Sequence, residues 1–179
     1  MTVIRGDAAR RLMARRRTTA HQSGPPRPPE RPWTAGLVSP CDLDAAGTAS
    51  VFIGDELTAH GLRERVPDAT AVVTELVENA VRHGLGPVHT SISVADDGRI
   101  KLDVTDQGPV TPELRAATDR AELQRSGETA RTPQSPPGTG LKLVALVAAA
   151  WGVKELPEGK TVWAQLHDHD VHCRGCHQL

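Results

Sequence analysis

The stretch Glu75-Leu76-Val77-Glu78-Asn79-Ala80-Val81-Arg82-His83-Gly84 decides how this chain folds. Leu76, Val77, Ala80 and Val81 continue an apolar pattern begun by Ala71, Val72 and Val73, and the spacing predicts an amphipathic helix. Residues four apart lie about 40° apart around a helix axis, so Glu75 and Asn79 share a face that Arg82 and His83 extend. A carboxylate beside an amide oxygen on a rigid element suits Mg2+, which takes oxygen ligands and keeps waters that the carboxylate can orient. Ordinary solvated helix faces carry the same residues, so the pair acquires meaning only from the segments around it.

Working outward, Asp68 after the breaker Pro67 opens this helix, and Gly84 and Gly86 close it by Leu85. Upstream, Leu43, Ala46, Ala49, Val51, Phe52, Ile53 and Leu57 predict a first helix from Asp42 to about His60, with Asp42 or Ser39 as its cap. Downstream the period changes to two. Val88, Thr90, Ile92 and Val94 alternate with His89, Ser91 and Ser93, Asp97-Gly98 supplies a turn, and Ile100, Leu102 and Val104 resume the alternation. Residues 111–137 are polar and rich in proline, with a short helix at 112–124, and read as a lid. Leu141 to Ala150 predicts a further helix, and Trp151–Leu156 and Thr161–Leu166 a second hairpin across Pro157-Glu158-Gly159-Lys160. The order is helix, helix, strand, strand, lid, helix, strand, strand. It predicts an α/β protein, a two-layer α/β sandwich whose mixed, mostly antiparallel sheet carries its helices on one face.

Two more segments carry chemistry. Asp106 ends the strand of Leu102 and Val104, just before Gln107-Gly108, where a carboxylate can accept a hydrogen bond from an exocyclic amine such as adenine's. Asp-x-Gly is equally an ordinary turn. Gly138-Thr139-Gly140 leads into Leu141 and Lys142 at a helix start, where backbone donors approach phosphate oxygens without a Cβ in the way and Lys142 adds a charge. Neither the Walker pattern nor the six-residue dinucleotide fingerprint is present.

In this order and at these separations the three segments resemble the N box and two glycine boxes of the GHKL (histidine kinase-like) ATPase superfamily. The resemblance runs from about Asp42 to Leu166. It is closest to the anti-sigma-factor serine/threonine kinases of bacterial partner-switching systems, and Trp151-Gly152-Val153 with Gly159-Lys160-Thr161-Val162-Trp163-Ala164 strengthens it. It implies the Bergerat-type fold, with ATP and Mg2+ as cofactors. Position by position, it implies that Glu75 is the catalytic carboxylate, Asn79 the Mg2+ ligand and Asp106 the residue that recognises adenine. Gly108 would shape the turn after it, Gly138 and Gly140 with Thr139, Leu141 and Lys142 would form the hinge and phosphate-contacting strip, and Thr161 would support the aspartate and a water at the base. His83 and Arg82 would reach phosphates. Glu78 departs from the family pattern, which often has a small or neutral residue there. No phospho-acceptor histidine helix and no second domain of the gyrase or chaperone type is recognisable.

The implied function is phosphorylation of an anti-sigma-factor antagonist, with a sigma factor as second partner and a homodimer permitted. The alternative is a non-catalytic binding module that sequesters a regulatory partner according to nucleotide state.

The chain has 179 residues and a formal charge of −1, enough for one domain with tails and no global argument for nucleic acid. Residues 1–35 form a basic, proline-rich leader with arginines at 5, 10, 11, 15, 16, 17, 27 and 31, read as disordered apart from a short helix near 7–17. The domain then occupies 36–166 and a His/Cys-rich tail 167–179. No apolar stretch after the leader's charges serves export, and Leu143 to Trp151 is too short to span a bilayer, so a cytoplasmic protein without a membrane partner is expected. In the tail, Cys173, Cys176 and His177 offer a zinc site with a neighbouring histidine, against the plainer reading of a frayed end.

Overall fold

The computed structural model describes residues 2–5, 32–125 and 139–167. Six strands form one sheet in the order β1-β2-β3-β4-β6-β5, where β1 is Thr2–Arg5, β2 Trp33–Ser39, β3 Val88–Val94, β4 Ile100–Asp106, β5 Ala148–Leu156 and β6 Gly159–Leu166. Every neighbouring pair is antiparallel, so the expected mixed, mostly antiparallel sheet is antiparallel throughout the described strands. Four helices accompany it: α1 Ala45–Ala59, α2 Val66–His83, α3 Pro112–Arg125 and α4 Thr139–Val147.

Strand alternation builds the two layers. In β2, β3 and β4 every second residue is buried, beginning with Trp33, Val88 and Ile100, while their neighbours are partly or fully exposed. The helix α2 buries Ala69, Val72, Val73, Leu76, Val77 and Ala80, the i, i+3, i+4 stripe read from the sequence, and it packs on β4 and β6 and between α1 and α4. Ile92, Leu102, Val104, Val162, Ala164 and Leu166 meet that stripe from the sheet. Each fully buried Val or Leu contributes roughly 1.5–3 kcal/mol, so this seam is what holds α2 at a fixed height over the strands.

Several boundaries depart from the sequence reading. Strands β1 and β2 occur where none was expected, and β2 pairs along its whole length with β3, Trp33 opposite Val94 and Ser39 opposite Val88. The strand signal in Trp33-Thr34-Ala35-Gly36-Leu37-Val38-Ser39 is weakened by its small residues and by the neighbouring prolines. The Trp33 ring stacks on His60 with centroids 3.9 Å apart, and His60 Nδ1 in turn bonds Glu56 O at 2.8 Å, which ties β2 to the end of α1. Helix α1 starts at Ala45 and its Asp44 cap makes no side-chain bond, while Asp42 Oδ1 accepts from Asp44 N. Pro67 does not break α2; it sits in the first turn, where its missing N–H is no loss. The helix expected to Ala150 ends at Val147 and passes directly into β5.

The helix expected at 112–124 is α3. The short leader helix near 7–17 and the remainder of the lid, 126–137, lie outside the described residues.

Candidate functional site

Helix α2 delivers its polar side to a cleft of about 260 Å3 lined by Glu75, Asn79, Arg82 and His83, with Thr111, Glu113 and Leu114 on one side and Gly140 and Leu141 on the other. The fold produces this because α2 and α4 pack together, so the first turn of α4 faces the α2 stripe next to the buried one. The approach is close. A Cβ on Gly140 would stand 2.0 Å from Glu75 Oε2 and 3.6 Å from Glu75 Cβ. Glycine therefore lets the carboxylate lie against the α4 backbone, whose first N–H groups have no partner within the helix.

The amide nitrogen Nδ2 of Asn79 is buried without a hydrogen-bond partner among the described residues. Glu78, the extra carboxylate, is outside the cleft lining and meets Arg82 at 3.5 Å in a solvent-exposed pair. Such a pair contributes little and leaves Arg82 free to turn toward the cleft.

At the end of β4 lies a second arrangement that the sequence reading only half contained. Asp106 is buried, its Oδ1 accepts from Gly108 N at 2.7 Å and from Lys160 Nζ at 2.8 Å, and its Oδ2 is buried with no partner among the described residues. Asp106 and Lys160 are directly opposite in the β4–β6 register. Glycines close around them: a Cβ would come within 2.7 Å of Asp106 Cγ at Gly84, 3.0 Å of Oδ1 at Gly108 and 2.0 Å of the Asp106 carbonyl oxygen at Gly159. Gly84 directly follows His83, so the aspartate adjoins the cleft through the end of α2 without lining it.

Not every expected residue converges. Glu75, Asn79, His83, Gly140 and Leu141 share the cleft. Asp106 and Gly108 form the adjoining buried arrangement. Lys142 is exposed and outside the lining. Thr161 requires a correction, because its hydroxyl meets Thr105 Oγ1 at 2.7 Å and makes no bond to Asp106. Alternation places Thr161 on the sheet face opposite Lys160, and it is Lys160 that supports the aspartate. Gly138 and the tail residues Cys173, Cys176 and His177 lie outside the described residues, as does the side chain of Thr139. No cluster of three metal-binding side chains occurs among the described residues, and no described helix is long and apolar enough to cross a membrane.

Sequence reasoning missed Lys160, although a signal for it exists. It falls in phase with Val162, Ala164 and Leu166 on the inward face of β6, where a cation demands a buried carboxylate. Thr111, Glu113 and Leu114 had no such signal, since their place at the cleft depends on how α3 folds back.

A sequence profile described as histidine kinase-, DNA gyrase B-, and HSP90-like ATPase matches residues 65–170. No curated protein matches the chain by sequence. Among solved structures, the RsbU and RsbW domains of Rv1364c from Mycobacterium tuberculosis are similar with a TM-score of 0.53 and 17% identity, over 75% of this chain and 32% of that one. The SiaB–SiaC complex of Pseudomonas aeruginosa is similar with a TM-score of 0.51 and 16% identity, over 73% of this chain and 89% of its counterpart. The chain thus spans about a third of the first (32%) and most of the second (89%), and at these identities the likeness is one of fold.

Proposed function

We propose that this chain, which belongs to the histidine kinase-, DNA gyrase B- and HSP90-like ATPase family, is an ATP-dependent protein serine/threonine kinase of the anti-sigma-factor type. The observation that carries the proposal is the meeting of Glu75 with the Gly140 backbone in a cleft that also holds Asn79. A carboxylate, an amide side chain and the N–H groups of a helix start at one place are what phosphoryl transfer needs, since its catalysis is positioning and charge stabilisation.

In this reading the purine lies toward Asp106, whose unpartnered Oδ2 accepts from the exocyclic amine of adenine. The phosphates lie along the first turn of α4, where backbone donors and the helix dipole favour an anion, and Arg82 and His83 line the same cleft. The side-chain oxygen of Asn79 would hold magnesium, which selects oxygen donors; when bound, it would neutralise charge on the phosphates. Glu75 receives the proton of an incoming serine or threonine hydroxyl. A bond forms between that oxygen and the γ-phosphorus, and the bond from phosphorus to the β–γ bridging oxygen breaks, leaving ADP.

The substrate we propose is an anti-sigma-factor antagonist, with a sigma factor bound in the antagonist's place when it is phosphorylated, so that the chain regulates transcription. The fold shared with an RsbW domain and with the SiaB–SiaC complex supports a role alongside partner proteins. The test is transfer of labelled phosphate from ATP to antagonist-like proteins encoded beside this gene. Transfer that Glu75→Ala abolishes while ATP binding persists supports the kinase. Nucleotide binding without transfer to any such protein replaces it with a nucleotide-dependent binding module.

A further inference from the structure

We infer that Lys160 is a positioning residue that sets the base specificity of the nucleotide site, by engaging Oδ1 of Asp106 and leaving Oδ2 as the oxygen that accepts from the base. The inference deepens the function proposed above and rests on its assignment of Asp106 to the purine. Lys160 is fully buried, and a buried ammonium persists only beside a counter-charge that also satisfies its hydrogen bonds. Its Nζ meets Asp106 Oδ1 at 2.8 Å, and both side chains are almost completely shielded, at 0% and 1% exposure.

The geometry divides the labour between the two carboxylate oxygens. Oδ1 is committed to Lys160 Nζ and Gly108 N, while Oδ2 is buried with no partner among the described residues. Lys160 therefore makes the one remaining atom an acceptor. A carboxylate so held takes a hydrogen bond from a 6-amino purine and opposes the 6-oxo group of guanine or hypoxanthine, which is itself an acceptor. Without the ammonium, Oδ1 keeps only Gly108 N, and the carboxylate is no longer held with Oδ2 as its one remaining acceptor. Selectivity at position 6 of the purine would then collapse.

Lys160 could otherwise serve only to staple β4 to β6, and the two roles give different readings. The experiment is calorimetric titration of the full-length protein with Mg·ATP and Mg·ITP, which differ at position 6 of the base, for wild type, Lys160→Met and Lys160→Gln, with thermal melting as a folding control. A positioning role predicts that the ATP-over-ITP preference of wild type falls about 10- to 100-fold in Lys160→Met. Lys160→Gln, which keeps a donor without the charge, falls in between. Should Lys160→Met not fold, Lys160→Gln carries the same comparison. Parallel weakening toward both nucleotides, with the preference intact, overturns the inference and leaves adenine reading by Asp106 standing. A wild-type protein that binds ATP and ITP equally overturns that adenine reading itself, and the inference with it.

Discussion

Gly140 and Glu75 are in contact across the cleft, close enough that an added Cβ would stand 2.0 Å from Oε2 and 3.0 Å from the carboxylate carbon. The atom in the way is the far end of a flexible side chain, so the cost of filling the space falls on the position of the carboxylate and spares the fold. Gly140→Ala should therefore melt at or above the wild-type temperature, alanine being up to about 1 kcal/mol better than glycine in a helix. Its phosphoryl transfer should fall at least about tenfold, the scale of a misplaced general base. Parallel melting and transfer assays check this, and unimpaired transfer would remove Glu75 from the chemistry.

Gly159 and Gly86 both have positive φ, +144° and +67°, but they face different obstacles. A Cβ at Gly159 meets the backbone of Asp106 and Gln107, whereas at Gly86 it meets the movable end of the Gln107 side chain. Denaturant titration should show Gly159→Ala destabilised by about 3 kcal/mol and Gly86→Ala by about 1–2 kcal/mol. Equal losses would mean that the turn before β6 can relax.

Lys142 was expected near phosphate and is found exposed outside the cleft, while Arg82 lines it. Lys142→Ala should leave ATP affinity unchanged, and Arg82→Ala should weaken it about tenfold by removing one charge-assisted hydrogen bond. Titration calorimetry distinguishes the two; the reverse order would mean that α4 presents another face to the nucleotide.

The turn between β3 and β4 carries a pH marker. Asp97 is held below its ordinary value of 3.8, chiefly by a hydrogen bond from the Arg99 backbone amide; desolvation opposes this, and the Arg99 side chain adds a lesser lowering. A carboxyl depressed in the folded state supports stability above its unfolded value and loses that support as pH falls through the folded value. A carboxyl NMR titration should place Asp97 below a peptide aspartate, and Arg99→Ala should raise it only part of the way because the backbone donor remains. A full return to the peptide value would transfer the effect to the guanidinium.

The helical and strand periods were readable because each buried stripe is continuous. The positions 72, 73, 76, 77 and 80 of α2 and the alternations of β3, β4 and β6 are buried as their spacing requires. The opening strands were not readable: Thr2–Arg5 lies among arginines, and Trp33–Ser39 relies on pairing with β3 more than on its own propensity. At the site, helix geometry predicted that Glu75 and Asn79 share one face, and both line the cleft. Lys160 was hidden because a lysine in a hairpin reads as a solvent-facing residue until its phase with Val162 and Ala164 is counted. The share of α3 in the cleft is tertiary and leaves no local trace.

Strand β5 follows α4 without an intervening residue, and α3 also packs on it, with Arg115 reaching Glu155 at 2.8 Å. The two walls that face α2 across the cleft are thus hung from a single edge strand, like two hinges screwed to one post. Any ligand that draws those walls together must load that post, so amide exchange along Ala148–Leu156 would register occupancy of the cleft from outside it.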